Sequence, residues 1–290
     1  MANPLHVNDN NRVNVRKWQL VLCDLDGTLL DQASMISSKN LTAVAALAEH
    51  QIGFTLATGR MDAMTRLFVR QLQITLPIIA CNGAVIRDCT TNELLSQICL
   101  VPDDVIVLTE WMARHGVDYL VYTPDAVYYP PKSRRIEVMH QYNVQASAHK
   151  ETVVPLFELN THSWKQAASH AVKILAIIPD SPIHAELRML LSMHQGCEAV
   201  MSMDYAMDIM AAGVTKGAAM QQLAKMIGVR PDSIVALGDH DNDVSMLQRA
   251  GLGIAMGNAT QLAVAASRAR TLTNSESGVA AAIWRYVLPE

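Results

Sequence analysis

The chain has 290 residues, half of them hydrophobic and 17% charged, with a formal net charge of −4. That length supports a sizeable core and predicts one large domain plus a smaller one, and the composition excludes a disordered or fibrous chain. The charge offers no basic footprint for nucleic acid, and no window approaches the ~18 apolar residues of a membrane span.

Residues 1–18, MANPLHVNDNNRVNVRKW, lack the apolar region of a secretory signal and read as a polar lead-in. The five cysteines (Cys23, Cys81, Cys89, Cys99, Cys197) are scattered and form no C-x-x-C. They read as small buried hydrophobes in a reducing cytoplasm. Gln19–Cys23 is a short apolar run that ends in Asp24-Leu25-Asp26-Gly27-Thr28. Ser37 and Ser38 are cap candidates for a helix carrying Leu41, Val44, Leu47 and Ala48 at helical spacing. The run Gly53–Ala57 stops at Thr58-Gly59-Arg60, and a helix with Met64, Leu67 and Phe68 on one face follows. Pro77–Cys81 is a third strand, ending at Asn82-Gly83. Strand and helix alternating at this spacing predict right-handed crossovers and a parallel sheet, with ligands beyond the carboxyl ends of the strands.

From about Arg87 to Ala211 the pattern changes. Short amphipathic strands are predicted at Tyr119–Thr123, Ala126–Tyr129, Val172–Ile178, Ala199–Met203 and Tyr205–Met210, with helices near 103–115, 134–142 and 183–194. This reads as an inserted α+β domain. The α/β rhythm then resumes with a helix from Thr215, strand Ile234–Leu237, a helix from Asn242, strand Leu252–Met256, a helix near 260–268, strand Arg270–Thr273 and a helix near 278–287.

The chemistry lies at the strand ends. Asp24 and Asp26 are two residues apart, so in an extended segment both carboxylates share a face. Such a pair suits cation binding, acid–base work or nucleophilic attack, and a strand-end Asx-turn also contains it. Gly238-Asp239-His240-Asp241-Asn242-Asp243 starts like a calcium loop, but Val244 and Ala250 stand where an EF-hand needs Gly and Glu. A magnesium site at a strand end fits it better. Lys216 in the first turn of its helix opposes the helix dipole, a placement that a shared phosphate would explain. With the Thr58 hydroxyl and the Gly59 amide, these pieces assemble a phosphate site.

In this order, Asp24-Leu25-Asp26-Gly27-Thr28, Thr58, Lys216 and Gly238-Asp239…Asn242-Asp243 resemble the haloacid dehalogenase superfamily. The insertion after Asn82-Gly83 and the re-entry Gly213-Val214-Thr215-Lys216-Gly217 resemble its Cof-type subfamily IIB phosphatases, which carry a C2B cap. The resemblance implies an α/β fold: a Rossmann-like parallel sheet core of residues 16–87 and 211–290, with an inserted α+β cap at 88–210. It implies Asp24 as nucleophile and Asp26 as general acid and base. Thr58, Gly59, Lys216 and Asn242 would hold the phosphoryl group, Asn242 there or positioning Lys216. Mg²⁺ would lie on Asp24, Asp26 (through its backbone carbonyl) and Asp239, with Asp243 in support.

A carboxylate ~4 Å from a phosphate dianion meets ~8 kcal/mol of repulsion at an effective dielectric of ~20, which Mg²⁺ and Lys216 must offset. Asp26 needs a raised pKa to serve as an acid, and the crowded acids are expected to provide it. The expected substrate is a small phosphorylated metabolite: a sugar phosphate, pyridoxal 5′-phosphate or flavin mononucleotide. Asn82 and Lys173 are candidate leaving-group contacts. His240 and Asp208 depart from the family pattern and are expected to affect cap docking or substrate choice. A phosphomutase and a non-catalytic phosphometabolite sensor are the alternative readings.

Overall fold

A computed structural model describes residues 17–160, 163–178, 181–203 and 205–288, so residues 1–16 of the lead-in lie outside it. Strand β1 (Leu20–Cys23) is buried throughout, and its side chains alternate between two hydrophobic clusters. Helix α1 (Ser38–Glu49) begins at Ser37, whose hydroxyl accepts from the Asn40 amide. Next come β2 (Gly53–Leu56), a tight 3-10 turn at Asp62–Thr65 that leads into α2 (Arg66–Gln71), and β3 (Ile78–Ala80).

β3 is too short to form a full third parallel strand. Cys81 and Asn82 both take left-handed conformations (φ 48° and 56°) and turn the chain back. The result is an antiparallel ribbon of β3 with β4 (Val85–Arg87) and β5 (Leu94–Gln97). A parallel bridge between Ala57 and Ile79 ties the ribbon to the main sheet.

The inserted stretch runs α3 (Pro102–Arg114), β6 (Asp118–Tyr122), β7 (Val127–Tyr129), α4 (Ile136–Ala148), β8 (Leu156–Glu158), α5 (Ser163–His170), β9 (Lys173–Ile177), α6 (Ser181–Met193), β10 (Cys197–Met203) and β11 (Ala206–Ala211). Its six strands form one sheet in the order β10-β11-β9-β6-β7-β8, antiparallel except at β7–β8. The period of two sorts its side chains. Tyr119, Val121, Ile174 and Ile209 pack under α3, α5 and α6. Leu120, Tyr122, Leu175 and Met210 face the other way, against α4 and against Met61, Ala80 and Cys81 of the core.

The chain re-enters the core through α7 (Lys216–Met226), β12 (Ile234–Gly238), α8 (Val244–Arg249), β13 (Leu252–Ala255), α9 (Gln261–Ala266), β14 (Ala269–Arg270) and α10 (Gly278–Ala282). The core sheet is parallel, in the order β14-β13-β12-β1-β2. α7 and α8 cover one face and α1 and α10 the other, so the sheet is buried on both sides. β1 and β12 are neighbours near its centre. Their carboxyl ends lie side by side, with Cys23 opposite Leu237.

Candidate active site

Beyond β1 and β12 the chain places two carboxylates on one lysine and a third beside them. Asp24 follows β1 and is 5% exposed. Lys216, the first residue of α7, is fully buried, and its Nζ donates to Asp24 Oδ1 and to Asp243 Oδ1, each at 2.6 Å. The two carboxylates account for a lysine at a helix N-terminus, where the dipole opposes it.

The other oxygen of Asp243 accepts from the backbone amides of Asp239 (2.8 Å) and His240 (3.1 Å), which fixes the loop after β12. Asp239 accepts from the Thr28 hydroxyl at 2.9 Å and from Asn258 Nδ2 at 3.3 Å; Asn258 also donates to the Gly27 carbonyl at 2.8 Å. Gly27 has φ +77°, and a Cβ there would lie 2.2 Å from Asp239 Oδ2, so glycine is required on two counts.

Burial raises the Asp24 pKa well above the ordinary carboxylate range; Asp243 and Asp239 add to the shift and Lys216 opposes it. Burial and Asp243 push Asp239 up to about 6. Burial alone would depress Lys216, but Asp24 and Asp243 outweigh it and leave its pKa raised. Ligand atoms of Asp24, Asp239 and Asp243 all lie within 4.8 Å of one another. Three carboxylates against one ammonium leave two formal negative charges in a buried site, on hard oxygen donors. That donor set fits a hard divalent cation, Mg²⁺ among them.

Asp26 lies apart from this cluster. Its side chain is 53% exposed, and Arg60 grips it with two hydrogen bonds, Nε to Oδ2 at 2.7 Å and Nη2 to Oδ1 at 2.5 Å. The backbone leaves helical geometry at Asp26 (φ −77°, ψ 124°) and Gly27 (φ 77°, ψ −6°), and the Asp26 side chain stands at the exposed edge of the cavity that Asp24 and Asp239 also line. Thr58 is buried, and its hydroxyl accepts from the Arg60 amide at 3.1 Å. The Gly59 carbonyl accepts from Lys173 Nζ at 2.7 Å.

Asn82 is engaged at both ends of its amide. It donates to Asp208 Oδ2 at 2.7 Å and accepts from Asn242 Nδ2 at 3.0 Å. Asp243, rather than Asn242, holds Lys216. A cavity of about 1140 Å³ joins Asp24, Asp26, Gly59, Asp239, His240 and Asn242 to Met64 and Phe68 of the core and to Tyr122, Met139, Tyr142 and Lys173 from the inserted sheet and α4.

Two participants escaped the reading of the sequence. Arg60 stands in the turn Thr58-Gly59-Arg60, where spacing alone gives it no role of its own. Asn258 follows an apolar strand as Asp24, Thr58 and Asn82 do, and that shared signal would have found it.

A family model described as haloacid dehalogenase-like hydrolase matches residues 21–283. The chain is 26% identical over 270 residues to the Bacillus subtilis 5-amino-6-(5-phospho-D-ribitylamino)uracil phosphatase YcsE, covering 93% of this chain and 96% of that protein. It is 25% identical over 276 residues to the Escherichia coli pyridoxal phosphate phosphatase YbhA, covering 93% and 99%. Among solved structures it superposes on a sugar phosphatase of HAD subclass IIB with a TM-score of 0.78 at 21% identity, covering 93% of this chain and all of the other.

Proposed function

The chain belongs to the haloacid dehalogenase-like hydrolases, and its curated relatives are phosphatases; from that premise we propose that it hydrolyses small phosphomonoesters with Asp24 as nucleophile. The observation that carries this reading is the buried Asp24–Lys216–Asp243 arrangement beside Asp239, opening onto a cavity much larger than phosphate.

An Asp24 oxygen attacks phosphorus while the bond to the leaving oxygen breaks, and Asp26 gives that oxygen a proton. Water then attacks the phosphorus of the aspartyl-phosphate, Asp26 takes a proton from it, and the Asp24 carboxylate is released with inorganic phosphate. Lys216 keeps Asp24 oriented and offsets negative charge on the phosphoryl oxygens. Gly59 borders the same space with Thr58 buried next to it, and Arg60 holds Asp26 at its mouth. Mg²⁺ would lie on Asp24, Asp239 and the Asp26 backbone carbonyl, with Asp243 holding the loop, and would supply charge neutralisation to the phosphoryl group. Splitting a very slow hydrolysis into two displacements lowers each barrier.

Residues 88–210 serve as the cap and 16–87 with 211–290 as the core, although the ribbon carries core-side pairing on to Gln97. The cavity walls are rich in aromatic and methionine side chains, which suits a ring-bearing leaving group. Pyridoxal 5′-phosphate, flavin mononucleotide and sugar phosphates are therefore the first candidates. The five cysteines are free, which supports a reducing cytoplasm as the place of action. No helix of the described residues is long and apolar enough to cross a membrane.

The test is phosphate release over a metabolite panel with MgCl₂ or EDTA. Turnover that EDTA abolishes is expected. Absence of release from every phosphomonoester would favour a sensor instead.

A further inference from the structure

Two charged side chains from the inserted sheet sit buried against the core's strand-end loops. Lys173 on β9 is 4% exposed and Asp208 on β11 is 1% exposed, and their Nζ and Oδ1 lie 3.1 Å apart. Strand alternation sends both toward the core, away from α3, α5 and α6. The Lys173 ammonium also lies 4.5 Å from the centre of the Tyr122 ring.

Both groups border the cavity, yet their contacts run to the loops of the core. Lys173 spends one hydrogen bond on the Gly59 carbonyl at 2.7 Å, next to Thr58. Asp208 accepts from Asn82 at 2.7 Å, and Asn82 accepts in turn from Asn242. Asn242 belongs to the turn Asp241–Asp243, and Asp243 holds Lys216. One polar chain therefore runs from the cap, through three core loops, to the ammonium beside Asp24. A buried ion pair of this kind is weak evidence for stability, since apolar residues of similar volume often serve as well. Its reach suggests another use.

We propose that Lys173 and Asp208 are positioning residues that transmit cap seating to the active site, setting the Thr58–Gly59 loop and the Asn82–Asn242 contact in the geometry that catalysis needs. The proposal rests on the phosphatase reading above. It assigns Lys173 and Asn82 a positioning role in place of the leaving-group contact expected from the sequence.

The test compares the full-length wild type with K173M, D208L, D208E and the double variant K173M/D208L. Readouts are thermal unfolding, amide hydrogen exchange over residues 57–60 and 81–83, and kcat and KM for p-nitrophenyl phosphate with MgCl₂. Each of K173M and D208L leaves a buried charge without its counterpart and melts earlier, whereas the double variant removes both charges and regains stability. In the double variant kcat is expected to stay ~10- to 100-fold low, the scale of a small misplacement. Its KM changes little and exchange over 57–60 and 81–83 is faster, while D208E retains most of the activity.

Recovery of kcat and of slow exchange together with stability would reduce the pair to a structural role and overturn the proposal. A raised KM at unchanged kcat would make Lys173 a substrate contact, with the same consequence. If the wild type releases no phosphate from any ester, the phosphatase reading falls, and hydrogen exchange in the stability-matched double variant alone decides the coupling.

Discussion

Asp24, Lys216 and Asp243 form a buried cluster of charge, and their chemistry sets the first predictions. Asp24→Asn removes the proposed nucleophile and one of three mutually repelling carboxylates. Phosphate release is expected to vanish while the metal-free melting temperature holds or rises; unchanged turnover would remove Asp24 from its role. Lys216→Met leaves the acids without their ammonium, at a cost of about 3–5 kcal/mol by the measure of other broken buried pairs. Urea unfolding in EDTA would register that loss, and MgCl₂ is expected to restore part of it. Asp239 carries the pH dependence. Burial and Asp243 raise its folded pKa from the ordinary carboxylate value to about 6, so its contribution to metal-free stability is fully present below about pH 4 and is lost as pH rises through about 6. A cation competes with that proton, so the gain in melting temperature on adding MgCl₂ should grow between pH 5 and pH 7. A gain that does not change with pH would exclude Asp239 from the metal site.

At the scale of elements, the strands were legible because each is a short apolar run closed by a polar turn. β1, β2, β12 and β13 fall within a residue or two of their expected limits. The ribbon strands β4 and β5 were not legible, since their reversal depends on the left-handed backbone of Cys81 and Asn82, which apolar periodicity does not encode. β8 and α5 escaped for a different reason. β8 is three residues long and half-exposed at Phe157, and α5 follows it with few apolar positions to mark a period. Helix contacts carry their own prediction. Gly217 lies in the first turn of α7, where alanine would favour the helix by up to ~1 kcal/mol. Yet a Cβ there would sit 2.3 Å from the Ser245 carbonyl of α8. Gly217→Ala should therefore force α7 from α8 and displace the neighbouring Lys216, lowering both the melting temperature and kcat. A gain in stability would show that the two helices have room to spare.

Across the whole molecule, the residue types of the site were readable and their pairings were not. Asp26 and Arg60 are 34 positions apart, Asn82 and Asp208 126, and Asp24 and Lys216 192. Local spacing cannot announce partners at such separations; only the folded sheets bring them together. The same topology bears on the order in which the protein takes shape. β1 pairs with β12, so Leu20 waits for Ile234 before its strand is flanked on both sides. The six-stranded sheet, by contrast, is drawn from one unbroken stretch and is complete by Ala211. During synthesis on the ribosome, the inserted sheet is therefore finished before the parallel sheet that flanks it in sequence. The three acids reach their ammonium only in the last quarter of translation. Pulse-labelled hydrogen exchange during refolding is expected to show β6, β9 and β11 protected before β1 and β12, since long-range parallel pairing forms slowly. An inserted domain placed between the halves of an active site thus acts as a clock, keeping the charged centre from closing until nearly the whole chain exists.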